Sequence, residues 1–386
     1  MSSATQIVVG MSGGVDSAVA ALRLRDAGYD VQGLFMSNWE EQDDYCTTAQ
    51  DYQDARRVAA DLGIPLHRVN FADEYRERVF QHFLIEYRAG RTPNPDVLCN
   101  REIKFGLCLD YVQRLGGQCF ATGHYARTAM ADDGPALYQA ADRQKDQSYF
   151  LHAVERSRFA RVLFPLAELD KPQVRELARR AGLPVHDKPD STGICFIGER
   201  PFAEFLSRYV ADQPGSIESL DGQVLGRHRG LCFYTLGQRS GLTIGGSAGR
   251  AQEPWYVARK DADRNALIVV QRHEQQWLDA RVVECGPINW LCAPRTGNFA
   301  AQVKLRYRQP AQQAVVTVAQ ADGGAEGRTT IEFVEPQRAA TPGQFAVLYE
   351  GERCLGGGVI EQALYNLQVL PRHLSRAAVL EDVYDR

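Results

Sequence analysis

The stretch IVVGMSGGVDSAVAALRLRDAG, residues 7–28, decides the fold of the first part of this 386-residue chain. Ile7 to Val9 is a short apolar run of the kind found in buried parallel strands. Gly10, Gly13 and Gly14 permit a tight turn and let backbone approach a ligand closely. From Ser17 the apolar positions Val19, Leu22 and Leu24 follow a helical pattern, and Gly28 supplies a C-terminal cap. Strand, glycine loop and helix in that order offer free N–H groups and a helix dipole to an anion. The usual triphosphate loop closes on Lys and Ser or Thr, with the lysine on the β/γ-phosphates. This one closes on Asp16 and Ser17. A carboxylate repels phosphate unless a cation stands between them, so Mg2+ at Asp16 is inferred. A turn that uses its glycines for packing alone is the competing reading, and the full Ser-Gly-Gly-Val-Asp-Ser run after a strand argues against it.

Outward from this loop, residues 1–125 alternate strand and helix. Strand patterns cover 29–36, 65–71 and 118–125; helix patterns cover 48–62, 74–90 and 101–115. Such alternation predicts an α/β domain built on a parallel sheet covered on both faces. Ligands of these sheets lie beyond the carboxyl ends of the strands. That edge receives the 10–17 loop, Met36, the 92–100 loop and Gly123-His124. A further helix is expected over 169–185, with Asp170 as its cap and Gly182 at its end. Past residue 208 glycine becomes dense and short alternating runs follow, as in a small β-barrel. The expected units are 1–208, a small central domain 209–280, a β-barrel 281–370 and a tail 371–386.

The composition is that of a soluble globular protein, 44% hydrophobic and 24% charged. No apolar run is long enough for a membrane helix, and no signal segment leads the chain. Nine cysteines, an odd number without a C-x-x-C, argue against a disulfide framework or zinc ribbon and for a reducing cytoplasm. The net charge of −4 hides two acid-free basic stretches. One holds Arg227, Arg229, Arg239 and Arg250; the other holds Arg295, Lys304, Arg306 and Arg308. Together they suggest a polyanion footprint, with a scatter of solvated arginines as the alternative.

Two cysteines stand out by position. In RTPNPDVLCNREIKFG (91–106) the prolines stiffen the loop, and Cys99 sits near the expected start of the 101–115 helix. The dipole there, with Arg101 and Lys104, favours a thiolate. Asp96 can shuttle a proton if its pKa is raised. In KPDSTGICFIGERPFAEFL (188–206) Cys195 lies between glycines, with Lys188 and Arg200 flanking. A buried, inert thiol remains the alternative at both places. Cys108, Cys119 and Cys232 read as core cysteines.

GMSGGVDS, GLFMSNW, TPNPDVLCNREIKFG, ATGHYA, KDQSYFL, DSTGICFIGER and KLRYRQ occur in that order. Together they resemble the bacterial tRNA-specific 2-thiouridylases, from about residue 6 to 365. The resemblance implies a doubly wound parallel sheet of the adenine-nucleotide α-hydrolase type and cleavage of ATP between its α- and β-phosphates. The loop then holds the leaving pyrophosphate, with Mg2+, and a γ-directed lysine has no task. It implies adenylation of the C2 oxygen of the wobble uridine, followed by replacement with persulfide sulfur. Cys195 matches the persulfide carrier, Cys99 the nucleophile and Asp96 the acid/base. Gly10, Met11, Ser12, Gly13, Gly14, Val15, Asp16, Ser17, Met36 and Gly123 match the ATP site. Asn94, Pro95 and Asp96 match contacts to the target base; Lys145, Asp146, Gln147, Arg306 and Tyr307 match contacts to tRNA. The implied partners are the anticodon stem-loops of Glu, Gln and Lys tRNAs and a persulfide donor protein. Two readings of other classes compete: an amide-forming or nucleotide-amidating ligase with the same loop, and a non-catalytic RNA-binding protein.

Overall fold

The computed structural model describes residues 5–39, 48–190, 201–242, 244, 253–319 and 327–365. Five parallel strands form the first sheet, in the order Leu66–Asn70, Asp30–Ser37, Gln6–Gly10, Cys119–Ala121, Val162–Leu163. Val8 and Val9 in the middle strand are fully buried, as the apolar run demands. The order reverses direction between Gln6–Gly10 and Cys119–Ala121. A doubly wound sheet opens its ligand crevice at this switch point, and the glycine loop and Gly123 flank it.

The helix after the loop spans Val15–Asp26, two residues earlier than the apolar pattern alone indicates, so Asp16 and Ser17 lie in its first turn. Thr48–Leu62 and Lys171–Arg180 are helical; the latter is shorter than expected and starts on a capping box between Asp170 and Gln173. A correction concerns the cysteine segment. The chain is helical from Pro95, with Asn94 as N-cap, through the π-helical turns Cys99–Cys108 to Arg114. Proline at the first helical position needs no N–H and already has a helical φ. Reading both prolines as loop residues therefore placed the start too late.

Past residue 208, four strands make a small sheet in the order Trp255–Asp261, Ala266–Gln271, Gly215–Ser219, Val224–His228. Six more, from Asp279–Cys285 to Arg353–Tyr365, close into a barrel because the first pairs with the last. Residues 126–137, which carried no strand assignment, form a hairpin, Arg127–Ala131 with Gly134–Tyr138. It extends the barrel sheet through Arg353–Tyr138 and Cys354–Leu137. No helix among the described residues is long and apolar enough to cross a membrane.

Candidate functional site

The glycine loop is braced from within. Ser17 Oγ accepts from the Ser12 amide at 3.1 Å and donates to the Gly14 carbonyl at 3.0 Å. Gly13 has φ +76°, and a Cβ there would stand 2.3 Å from the Asp51 carbonyl. A Cβ on Gly123 would stand 2.7 Å from the Ser17 nitrogen. Only glycine lets the two loops of the switch point touch. Met11 is buried and donates its amide to Leu34 at 2.9 Å; Met36 lies half-buried near the end of the neighbouring strand.

The lysine missing from the loop arrives from elsewhere. Lys171 Nζ lies 2.8 Å from both Asp16 carboxylate oxygens, and the Tyr125 hydroxyl donates to Asp16 Oδ1 at 2.9 Å. Lys188 Nζ bonds the Gly13 carbonyl at 3.0 Å and Asp51 and Asp54 at 2.7 Å. The lysine that flanks the Cys195 segment in the sequence is thus tied to the phosphate loop. Burial opposes the charge on Lys188, and the two aspartates outweigh burial and raise its pKa. Lys171 also reaches Asp190 at 2.8 Å, and Lys145 and Arg175 reach it at 2.7 and 2.9 Å. Burial pushes Asp190 up, but these lysines prevail and hold it at about 2.

Does this carboxylate set fit Mg2+? Asp16 already accepts three bonds, and no group of three metal-ligating side chains occurs among the described residues. Mg2+ keeps several waters and is commonly held by one or two carboxylates plus substrate phosphates. The donors fit an ion that nucleotide phosphates bring with them, with Asp16 as the protein ligand, and they do not form a cage of their own.

Cys99 is 1% exposed and lies one turn inside its helix, three residues after Asp96. The Asn38 amide, just past the carboxyl end of Asp30–Ser37, approaches its sulfur at 4.0 Å. Cys99 thus sits at the same sheet edge as the glycine loop. Burial raises the pKa of Asp96, against the pull of Lys104. Arg101 is exposed and paired with Glu102 at 2.7 Å. The loop ahead of this helix is pinned by other units. Thr92 donates to the Pro342 carbonyl at 2.9 Å and accepts from Gln344 at 2.8 Å, and its hydroxyl is 3.4 Å from that of Thr235. Cys195 and Arg200 lie outside the described residues, as do Cys46, Arg250 and residues 371–386.

The expected tRNA contacts divide. Lys145 and Gln147 are half-buried at the crevice; Gln147 accepts from the Tyr125 amide at 3.0 Å. The Asp146 side chain is fully buried and bonded to Lys304 (3.3 Å), Ser148 (2.9 Å) and Gln139 (3.1 Å). Tyr307 packs against Phe150 with tilted rings, centroids 4.4 Å apart, and donates to the Lys145 carbonyl at 3.2 Å. Arg306 is exposed, although one of its nitrogens donates to Ala339 at 2.8 Å. The basic footprint is thinner than the sequence indicated. Lys304 is buried, and Arg295 and Arg229 are paired with Glu350 and Asp212. Of the cysteines read as core, Cys108 is buried, with burial pushing its thiol to about 12. Cys119 and Cys232 are half-buried, and Cys232 sits in a 3-10 turn rather than a strand.

Sequence reading missed Lys171, Asp190 and Tyr125. A signal existed for the first: a lysine in the first turn of a helix opposes the macrodipole and asks for a nearby anion.

Fold and site together define a HUP-type nucleotide-binding α/β domain that carries two β-rich units. Residues 5–199 match the model described as a tRNA methyl transferase HUP domain, 203–271 its PRC-barrel domain, and 280–360 an aminomethyltransferase beta-barrel domain. The chain belongs to the family of the tRNA-specific 2-thiouridylases MnmA. It is 53% identical to the MnmA of Marinobacter nauticus over 97% of this chain and 95% of that one. It is 55% identical to the MnmA of Alcanivorax borkumensis over 93% and 98%. Among solved structures, the U34-tRNA thiolase NcsA from Methanococcus maripaludis aligns over 49% of this chain and 60% of that one, at 18% identity and a TM-score of 0.33. The HUP fold carries nucleotide binding with it.

Proposed function

We propose that this protein converts the wobble uridine of tRNA to 2-thiouridine, spending ATP and persulfide sulfur. The family relationship over nearly the whole chain carries the reading. The matching domain model is described as a methyl transferase, yet a glycine loop at a switch point and an enclosed cysteine beside a carboxyl group suit nucleotide-driven sulfur transfer better. An amidating ligase would leave that cysteine without a task, and a passive RNA binder would leave the loop without one.

Binding the triphosphate against the loop leaves the α-phosphate open. The uridine C2 oxygen attacks it and expels pyrophosphate. As the C2–O bond becomes single, N3 must lose its proton. Asp96 supports the role of acceptor, because burial raises its pKa and so raises its basicity. Mg2+, carried by the phosphates and held by Asp16, would supply charge neutralisation. Sulfur then adds at C2, AMP leaves, and the base is left as the thiocarbonyl, with N3 reprotonated. The sulfur is the terminal atom of a persulfide on Cys195. Either it attacks C2 itself, and Cys99 then attacks Cys195 Sγ and breaks the S–S bond to release the thiocarbonyl, or Cys99 first displaces it as sulfide, which attacks C2; both routes form a Cys99–Cys195 disulfide that an external thiol must reduce. Lys145, Gln147, Arg306 and Tyr307 are assigned to the RNA, and Asn94 to Asp96 to the extruded base. The acceptors are the Glu, Gln and Lys tRNAs, and a separate persulfide protein is the donor. The test is mass spectrometry of the wobble nucleoside after incubation with ATP and a persulfide donor. Adenylated RNA without thiouridine, whatever the donor, would reject sulfur transfer.

A further inference from the structure

Three cations from separate segments converge on one carboxylate. Lys145 Nζ is 2.7 Å, Lys171 Nζ 2.8 Å and the Arg175 guanidinium 2.9 Å from Asp190. Lys171 simultaneously holds Asp16, inside the phosphate loop, at 2.8 Å. We propose that Lys171 and Arg175 seat the pyrophosphate end of ATP, and that Asp190 occupies this seat as an internal stand-in that a polyphosphate displaces, which frees Lys145 for the RNA to which it is assigned. The inference rests on the nucleotide reading of the loop.

The charge balance supports it. Asp142 also faces the cluster, accepting from the backbone amides of Lys145 and Lys171 at 3.2 and 3.1 Å. With Asp190 in place, three cations face the carboxylates of Asp16, Asp142 and Asp190, and little remains to attract an anion. With Asp190 displaced the cluster is net positive beside the glycine loop. A pyrophosphate brings more charge and more acceptor oxygens than one carboxylate, so the exchange favours the ligand. The backbone around Asp190 has other anchors, because Arg175 also donates to the carbonyls of His186 at 2.9 Å and Lys188 at 3.1 Å. Displacing the side chain therefore need not release the segment.

The test is calorimetric binding of inorganic pyrophosphate to the full chain, for wild type, Asp190→Asn, Asp190→Ser and Lys171→Met. Removing a partly exposed ion-pair partner should tighten pyrophosphate binding about fivefold in both Asp190 variants. Lys171→Met should weaken it by about tenfold or more. In turnover, the Asp190 variants should show a lower KM for ATP and stronger product inhibition by pyrophosphate. Unchanged or weaker binding in the two folded Asp190 variants overturns the proposal, and so does a loss of fold in both, since either makes the cluster structural. The nucleotide reading is judged separately, by whether wild type forms adenylated tRNA from ATP. If it does and Asp190→Asn binds pyrophosphate like wild type, only the stand-in role fails.

Discussion

Asp16 shows how a single residue changes meaning between sequence and structure. From the sequence it is an exposed acid awaiting a metal; in the fold it is the anion that makes Lys171 tolerable in the first turn of a helix. Asp16→Asn should therefore act twice. It leaves a largely buried ammonium short of one partner, costing on the order of 1–3 kcal/mol of stability, and it should lower adenylation at least about a hundredfold. Denaturant melts and α-phosphate transfer to tRNA measure the two effects, and a variant that adenylates at the wild-type rate would remove Asp16 from the nucleotide site. The cysteines separate similarly. Cys99→Ser should still adenylate RNA and load sulfur on Cys195, then stall. Cys195→Ser should carry no persulfide at that position. Cys108→Ser places a hydroxyl in a packed site and should lose about 1–3 kcal/mol of stability while retaining thiolation. Persulfide mapping beside thiouridine yield reads all three, and thiolation by Cys195→Ser would reassign the carrier. Asp96 and Cys99 could be singled out because a proline-stiffened stretch running into a helix is a local signal; that the helix already begins at Pro95 and carries both was not foreseen. Lys171 was hidden because its partners lie 155 and 19 positions away in the chain.

At the scale of elements, four strands of the first sheet and the Thr48–Leu62 helix were legible because periodicity is a local signal, while the Arg127–Ala131 and Gly134–Tyr138 hairpin and Val162–Leu163 were not. Charge windows failed for the converse reason. The stretch around residue 300 holds no acid, yet Lys304 finds Asp146 in the first domain and Arg295 finds Glu350 across the barrel. An acid-free window says nothing about acids that folding brings in. The helix beginning at Pro95 yields a prediction of its own. The Asn94 side chain accepts from the Asp96 amide at 3.2 Å, and the same residue is assigned to the target base. Asn94→Ala should cost about 1 kcal/mol in stability together with activity. Asn94→Ser keeps a capping oxygen and should recover the stability. Activity that follows the melting temperature through both variants would leave Asn94 as a cap alone. A KM for tRNA that stays high in the serine variant would separate the base contact from the cap.

The three units meet at the loop ahead of Cys99, and the whole molecule sets its position. The barrel holds Thr92 through Pro342 and Gln344, while the central sheet holds Gly90 through Lys260, whose Nζ donates to that carbonyl at 2.8 Å. Burial lowers the pKa of Lys260 to about 8, only partly offset by Cys232. An unfolded lysine titrates near 10.4. Below pH 8 both states bind the proton, and the native state bears the full cost of a buried charge. Between pH 8 and about 10.4 the unfolded chain binds more protons than the native one, so stability rises with pH. The shift corresponds to about 3 kcal/mol if nothing relaxes, and to roughly 1–2 with the residual solvent contact that Lys260 retains. Lys260→Met loses the bond to Gly90 but carries no charge, so its stability should lack this rise. Denaturant unfolding of both proteins at pH 7.5 and pH 10 provides the comparison, made in a Cys232→Ala background so that the thiol coupled to Lys260 drops out and the remaining titrating groups cancel in the difference. The parent should gain on Lys260→Met by about 1–2 kcal/mol over that range. A constant difference would mean that Lys260 stays protonated in the fold, and that the central sheet docks on Gly90 through a charge the protein tolerates at every pH tested.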